Sequence, residues 1–169
     1  MTEQLFTMNH VGINFPNVDA AVSWYRDVLG CFVLAEPAEA SDDGSHLGAI
    51  VKDIFGDAFG KVRIAHLTTA CGVGIEMFQF MEPKTYAPEN TFDFSRSGIF
   101  HICLTTADID VTAELITQNG GKVLSKKWQL YPEQNRRLVY CMDPWGTIIE
   151  FFEAPYAHFC ANRAVLPSA

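Results

Sequence analysis

The chain has 169 residues, of which 49% are hydrophobic and 13 are Phe, enough for one compact domain or two small modules sharing a core, and too apolar for a disordered chain. A formal net charge of -8 argues against nucleic acid or an anionic membrane as the main partner, since each selects a basic face. No apolar run approaches the roughly 18–20 residues of a spanning helix, and Met1–Gln4 lacks the basic-then-apolar layout of a secretory signal, so a cytoplasmic protein is expected.

From Met8 to Phe15 the sequence alternates as a strand, with Val11, Ile13 and Phe15 on one face and Met8, His10, Gly12 and Asn14 on the other. Asn17 or Asp19 is placed to cap a helix running through Leu29, in which Val22, Tyr25, Val28 and Leu29 recur at helical spacing and Gly30 is the stop. Strand-like stretches follow at 31–36, 61–69 and 73–80. Between 40 and 60 lies an insert, a polar loop from Ser41 to Ser45 and then Leu47, Ile50, Val51, Ile54 and Phe55 at the spacing of a short amphipathic helix. That helix would either cap the sheet or close as a lid over a substrate pocket. Residues 82–96, with Pro83 and Pro88, read as a linker.

The pattern then returns. Ser97 to Thr105 alternates again, with Phe100, Ile102 and Leu104 on one face and Ile99, His101, Cys103 and Thr105 on the other. Asp108 or Asp110 caps a helix containing Val111, Leu115 and Ile116 that ends at Asn119-Gly120-Gly121, and strands are expected at 122–128, 137–142 and 147–153. His10 and His101 stand 91 positions apart, and the same offset carries Val18 to Ile109, Asp19 to Asp110 and Gly30 to Gly121. His10 to Glu76 spans 66 positions and His101 to Glu150 only 49, so the first copy carries 17 extra residues, the insert. The chain reads as two βαβββ modules, 1–81 and 97–153, an α+β fold in which both contribute to a curved, mostly antiparallel sheet with helices outside. Residues 154–169 read as a tail in which Tyr156, His158 and Phe159 are placed to pack on a neighbour.

Each module carries one His on its first strand and one Glu on its last, which gives His10, Glu76, His101 and Glu150. Glu150 follows the turn Asp143-Pro144-Trp145-Gly146 and sits among Ile148, Ile149, Phe151 and Phe152; Glu76 sits among Ile75, Met77 and Phe78. Burying a carboxylate in such a strand is costly unless a cation compensates it. That cation is an Arg, such as Arg63 or Arg137, or a metal ion. Two imidazoles and two carboxylates suit one borderline divalent ion per site, Zn, Ni, Co, Mn or Fe, with room left for water or substrate.

His46, His66 and His158 lack a counterpart in the other module and fall outside this set. The five cysteines, odd in number and without a Cys-x-x-Cys pair, suit a reducing compartment and read as small core hydrophobes. Lys126, Lys127, Arg136 and Arg137 flank a loop between two strands of the second module. They form either a solvated hairpin tip or a clamp for an anionic substrate tail, such as a glutathione carboxylate or a coenzyme A phosphate.

Asn9-His10-Val11-Gly12-Ile13, the segment Asp19 to Gly30, Gly98-Ile99-Phe100-His101-Ile102 and the segment Asp143 to Glu150 together resemble the vicinal oxygen chelate superfamily. That superfamily contains glyoxalase I, methylmalonyl-CoA epimerase, extradiol dioxygenases and fosfomycin or bleomycin resistance proteins, and the resemblance covers nearly all of residues 8–153. The order His, Glu, His, Glu is most similar to glyoxalase I, whereas methylmalonyl-CoA epimerases typically carry Gln at the position matching His10 or Glu76. The resemblance implies a metal-dependent lyase or isomerase that removes a proton next to a carbonyl through an enediolate, with Glu150 as base and Glu76 as ligand or second proton carrier. It also implies a homodimer acting on a small molecule, a thiol conjugate or an acyl-CoA, with the metal site within one chain or across two. The alternatives on the same scaffold are an acyl-CoA epimerase, an iron-dependent extradiol dioxygenase using His10, His101 and Glu150, or a non-catalytic small-molecule-binding resistance protein.

Overall fold

The computed structural model describes residues 5–87 and 92–160. They divide into two compact units, with the boundary between Ala87 and Pro88. The first unit contains β1 (His10–Asn14), α1 (Val18–Leu29), β2 (Phe32–Ser41), α2 (His46–Phe55), β3 (Lys61–Thr68) and β4 (Gly74–Glu82). Its sheet has the order β1-β4-β3-β2, with β1 parallel to β4 and the other pairs antiparallel. The second unit contains β5 (Ile102–Thr105), α3 (Ile109–Gln118), β6 (Lys122–Val123), β7 (Trp128–Gln129), β8 (Arg137–Met142), β9 (Ile148–Phe152) and α4 (Tyr156–Cys160). Its order is β5-β9-β8-β6, with β7 also paired to β8 and β5 parallel to β9. This is the expected mixed α+β architecture, two mostly antiparallel sheets of matching topology.

The helix starts show why one of two candidate caps was used in each unit. Asn17 and Asp108 precede their helices in extended backbone, at φ -148° in both cases, so the side-chain oxygen reaches back to the amides of the first turn. Asp19 and Asp110 lie inside the helices and turn to the sheet instead, Asp19 to Arg63 and Asp110 to Arg137. The brace is duplicated in detail. The Val18 amide donates to Gln79 Oε1 at 3.1 Å, and the Ile109 amide donates to Glu153 Oε1 at 3.2 Å. Arg63 and Arg137 are therefore committed to the helix-covered faces, and neither is the cation that compensates Glu76 or Glu150.

In the first unit α1 buries Val18, Ala21, Val22 and Tyr25 over the face of β3 and β4 that carries Ala65, Leu67, Ile75 and Met77. In the second, α3 buries Ile109, Ala113 and Ile116, and it packs on β8, whose Val139 and Cys141 are fully buried. Each such aliphatic side chain contributes about 1.5–3 kcal/mol when fully buried.

The insert forms α2 as the periodicity predicts, but only part of its stripe packs. Val51 and Phe55 join Ala40, Phe59, Val62, Ile64, Phe78 and Phe80, whereas Leu47, Ile50 and Ile54 are exposed. The cluster lies on a definite side of the sheet. Val62 pairs with Phe80, Ile64 with Phe78 and His66 with Glu76, so these six side chains share one face, opposite the face covered by α1. Phe55 meets Phe80 at 4.9 Å and Phe78 at 6.1 Å between ring centroids. The insert thus covers one end of the face that carries Glu76.

Three expectations are corrected. The strand predicted over 122–128 is split into β6 and β7, because Tyr140 donates its amide to Ser125 Oγ at 3.0 Å rather than to a main-chain carbonyl, which interrupts the ladder. Of the cysteines, Cys31 and Cys141 are buried, but Cys71, Cys103 and Cys160 are exposed. The tail begins with the short helix α4. Pro88 of the linker, the Phe159 side chain and the rest of the tail lie outside the described residues. Among the described residues, no helix is long and apolar enough to cross a membrane.

Candidate functional site

In the first unit, the parallel pairing of β1 with β4 sets His10 opposite Gly74 and Gly12 opposite Glu76. His10 and Glu76 are therefore neighbours on one face, with Nε2 at 3.4 Å from Oε2. The close approach depends on Gly74, since a Cβ there would stand 2.9 Å from the His10 Cβ. His10 Nδ1 meets Asn9 Oδ1 at 2.7 Å, and with that oxygen accepting, Nδ1 carries the hydrogen. Nε2 is then the ring nitrogen turned to the carboxylate, and the two are placed to share a proton or a metal ion.

In the second unit, β9 runs between β5 and β8, and Glu150 is paired with Cys103 on one side and Tyr140 on the other. Every residue of β9 is buried, and Glu150 is only 8% exposed. His101 lies just before β5 and brings Nε2 to 3.2 Å from Glu150 Oε2, while its Nδ1 is buried without a hydrogen-bond partner among the described residues. The Tyr140 phenol and the Cys103 thiol stand beside the Glu150 carboxylate as its cross-strand neighbours. Burial first, and then the charge of Glu150, push the Tyr140 hydroxyl and the Cys103 thiol each up to about 12. Both therefore hold their protons at neutral pH. The His101 ring lies between Phe100 and Tyr140, at centroid distances of 4.4 and 5.3 Å.

Two neighbours of the carboxylates escaped the sequence reading. His66 is opposite Glu76 and brings Nδ1 to 3.9 Å from Oε1, and Tyr140 is opposite Glu150. A signal for both was present. The 74-residue offset that carries Glu76 to Glu150 also carries His66 to Tyr140, Arg63 to Arg137 and Gly72 to Gly146. A search for a second His could not find a position whose residue type had changed.

The donor set fits a divalent ion in kind. Ligands at about 2.1 Å from an ion and roughly 90–110° apart stand roughly 3.0–3.4 Å from each other, and the two His/Glu separations are 3.4 and 3.2 Å. Among the described residues, however, no group of three or more His, Cys, Asp or Glu is gathered so as to hold an ion. Each unit presents one close His/Glu pair, at 3.4 and 3.2 Å.

The basic cluster is largely occupied by the chain's own carboxylates. Arg137 bonds to Glu153 at 2.6 and 3.1 Å and to Asp110 at 2.7 Å, and Lys127 pairs with Asp110. The Asp110 carboxyl is held below the ordinary range by Lys127 and then Arg137, and the Glu153 carboxyl is held low by Arg137. Arg136 donates to the Glu153 carbonyl at 2.9 Å and lines an open cleft with Gln134, Asn135, Ala154 and His158. Lys126 is exposed.

Residues 7–151 match the family model of the Glyoxalase/Bleomycin resistance protein/Dioxygenase superfamily. The chain is similar to a 2-epi-5-epi-valiolone epimerase from an Actinomyces species, with 28% identity over 153 residues, covering 88% of this chain and 79% of that protein. It is also similar to an ethylmalonyl-CoA/methylmalonyl-CoA epimerase from Cereibacter sphaeroides, with 26% identity over 117 residues, covering 69% of this chain and 73% of that one. Among solved structures, a glyoxalase family protein from Bacillus cereus superimposes with a TM-score of 0.71 at 26% identity, over 89% of this chain and 95% of that chain.

Proposed function

The chain belongs to the Glyoxalase/Bleomycin resistance protein/Dioxygenase superfamily, and on that premise we propose that it is a metal-dependent isomerase, an epimerase that inverts a carbon next to a carbonyl by removing and returning its proton. The observation that carries this reading is the pairing of one imidazole with one carboxylate in each repeated unit, at 3.4 and 3.2 Å. Two such pairs, from modules of one chain or of two in a homodimer, amount to the four nitrogen and oxygen ligands that Zn, Ni, Co, Mn or Fe accepts. An ion bound by His10, Glu76, His101 and Glu150 would supply positive charge that makes the neighbouring carbon more acidic.

The remaining work falls to the chain. Glu150 takes the proton, with His101 at 3.2 Å from its carboxylate and Tyr140 and Cys103 as its cross-strand neighbours. Glu76, less confined, serves as ligand or as second proton carrier. Removing a proton next to a carbonyl is shared by glyoxalase I and by epimerases, and the two named relatives are both epimerases, which favours inversion over the lyase reaction. Arg136 and Lys126 are the cations left to receive an anionic substrate tail, and a cytoplasmic location belongs to the same reading.

The test is proton exchange. Protein loaded in turn with Co²⁺, Ni²⁺ and Zn²⁺ is incubated in D₂O with 2-epi-5-epi-valiolone, methylmalonyl-CoA or the hemithioacetal of methylglyoxal and glutathione, and followed by NMR. Deuterium entering an inverted centre is expected with one of the first two. Turnover of the hemithioacetal instead would return the assignment to a lactoylglutathione lyase, and a protein that binds no divalent ion and exchanges nothing would overturn the enzyme reading.

A further inference from the structure

We propose that Tyr140 is a positioning residue, which holds Glu150 and His101 in the mutual geometry that the reaction requires. Its functional consequence rests on the metal-dependent reading above, whereas the contact itself does not.

Register is the first observation. Tyr140 is directly opposite Glu150 in an antiparallel pair, an arrangement that brings Cβ atoms to about 4.5–5.5 Å on the same face of the sheet. The second is that one side chain touches both members of the pair. Facing the Glu150 carboxylate across the ladder, it also sets its ring 5.3 Å from the His101 imidazole at 64° between planes. The third is the rigidity of the residue that makes these contacts. The Tyr140 amide donates to Ser125 Oγ at 3.0 Å, its carbonyl accepts from the Leu124 amide at 2.8 Å, and Val139 and Cys141 on either side are fully buried.

A carboxylate offers two oxygens. A neighbour fixed against one side leaves the other to face His101 in a defined direction, and His101 Nε2 stands 3.2 Å from Oε2. The same position in the first unit holds His66, with Nδ1 at 3.9 Å from Glu76 Oε1. In the second unit a phenol takes that place, opposite the carboxylate that is more deeply buried.

Tyr140→Phe removes the O–H and keeps the ring, and Tyr140→His installs the residue type that the first unit uses. In metal-free protein, Tyr140→Phe is expected to move the ¹³C resonance of the Glu150 carboxyl and the ¹⁵N resonances of the His101 ring, while amide resonances of the first unit stay in place. Co²⁺ binding, followed by its visible absorption, is expected to weaken about 10–100-fold, with kcat reduced more than KM is changed. Tyr140→His is expected to recover part of both losses. Tyr140→Phe with Glu150 and His101 resonances and Co²⁺ affinity equal to wild type would overturn the proposal. If wild-type protein itself takes up no Co²⁺, the metal reading fails separately, and the metal-free resonances alone decide the role of Tyr140.

Discussion

Glu76 and Glu150 occupy the same address in two copies of one module, and their surroundings differ. The Glu76 side chain is 27% exposed and faces two imidazoles, His10 and His66, at 3.4 and 3.9 Å. The Glu150 side chain is 10% exposed, with an imidazole at 3.2 Å and Tyr140 and Cys103 as its cross-strand neighbours. Duplication has kept the strand positions and changed the cross-strand neighbours. The carboxylate of the second unit is therefore the more confined of the two, and that of the first stands on a face that also carries the insert helix.

The largest effect that tests this contrast is on turnover. Glu150→Gln is expected to lower kcat by roughly 10²–10⁴-fold with the circular dichroism unchanged, and Glu76→Gln by a smaller factor. Steady-state kinetics that show equal losses would erase the distinction, and a Glu150→Gln variant within about tenfold of wild type would remove Glu150 from the role of base.

Next in size is a close approach found only in the first unit. Gly74→Ala sets a Cβ 2.9 Å from that of His10, which should cost about 1–3 kcal/mol in urea denaturation and displace His10 from Glu76. The matching residue of the second unit is Ile148, which is buried, so the demand for glycine is specific to the first unit. If Gly74→Ala leaves both stability and metal affinity unchanged, the His10 contact does not depend on that approach.

The insert supplies a third comparison. Val51→Ala should cost about 1.5–2 kcal/mol, from two buried methyl groups, whereas Ile54→Ala on the exposed side of α2 should stay within about 0.5 kcal/mol of wild type. Equal effects in thermal or urea denaturation would show that the whole stripe is packed in solution.

The smallest effect is in the acid limb of stability. Arg63 holds the Asp19 carboxyl low, and Lys127 and Arg137 do so for Asp110, with Arg137 also lowering Glu153. A carboxyl depressed in the folded state contributes stability above its unfolded value of about 3.9–4.3 and loses it as pH falls through the lower folded value. Arg137→Gln should therefore be less stable than wild type at pH 7, and the gap should narrow below about pH 4. Because Arg137 serves two carboxylates and Arg63 one, Arg63→Gln should show the weaker pH dependence. A gap that stays constant with pH in both variants would mean that the ion pairs do not act through titration.

Much of this was legible in the chain itself. The alternation around His10 and His101, the periodicity of α1, α2 and α3 and the 91-residue offset place all three helices and the strands that carry His10, Glu76 and Glu150 where they are observed, with His101 falling just before β5 rather than on it, because side-chain period and helix capping are local properties. What failed was whatever depends on pairing between distant segments. Asn17 and Asp19 are equally plausible caps until Arg63 arrives from β3 to claim Asp19. Lys127 and Arg137 look like free cations until α3 brings Asp110 beside them. The predicted strand over 122–128 gave no sign that the Ser125 hydroxyl would replace a ladder bond to Tyr140.

The sequence by itself determined the module, its repetition, the excess of 17 residues in the first copy and the imidazole and carboxylate carried by each copy. Only the tertiary structure decided which neighbours those carboxylates received. A strand's own pattern states which residues share its face, but strand register states what lies across from them. Register is set by the packing of α1 and α3 on the opposite faces. It brought His66 to Glu76 and Tyr140 to Glu150, and so made two copies of one motif chemically different.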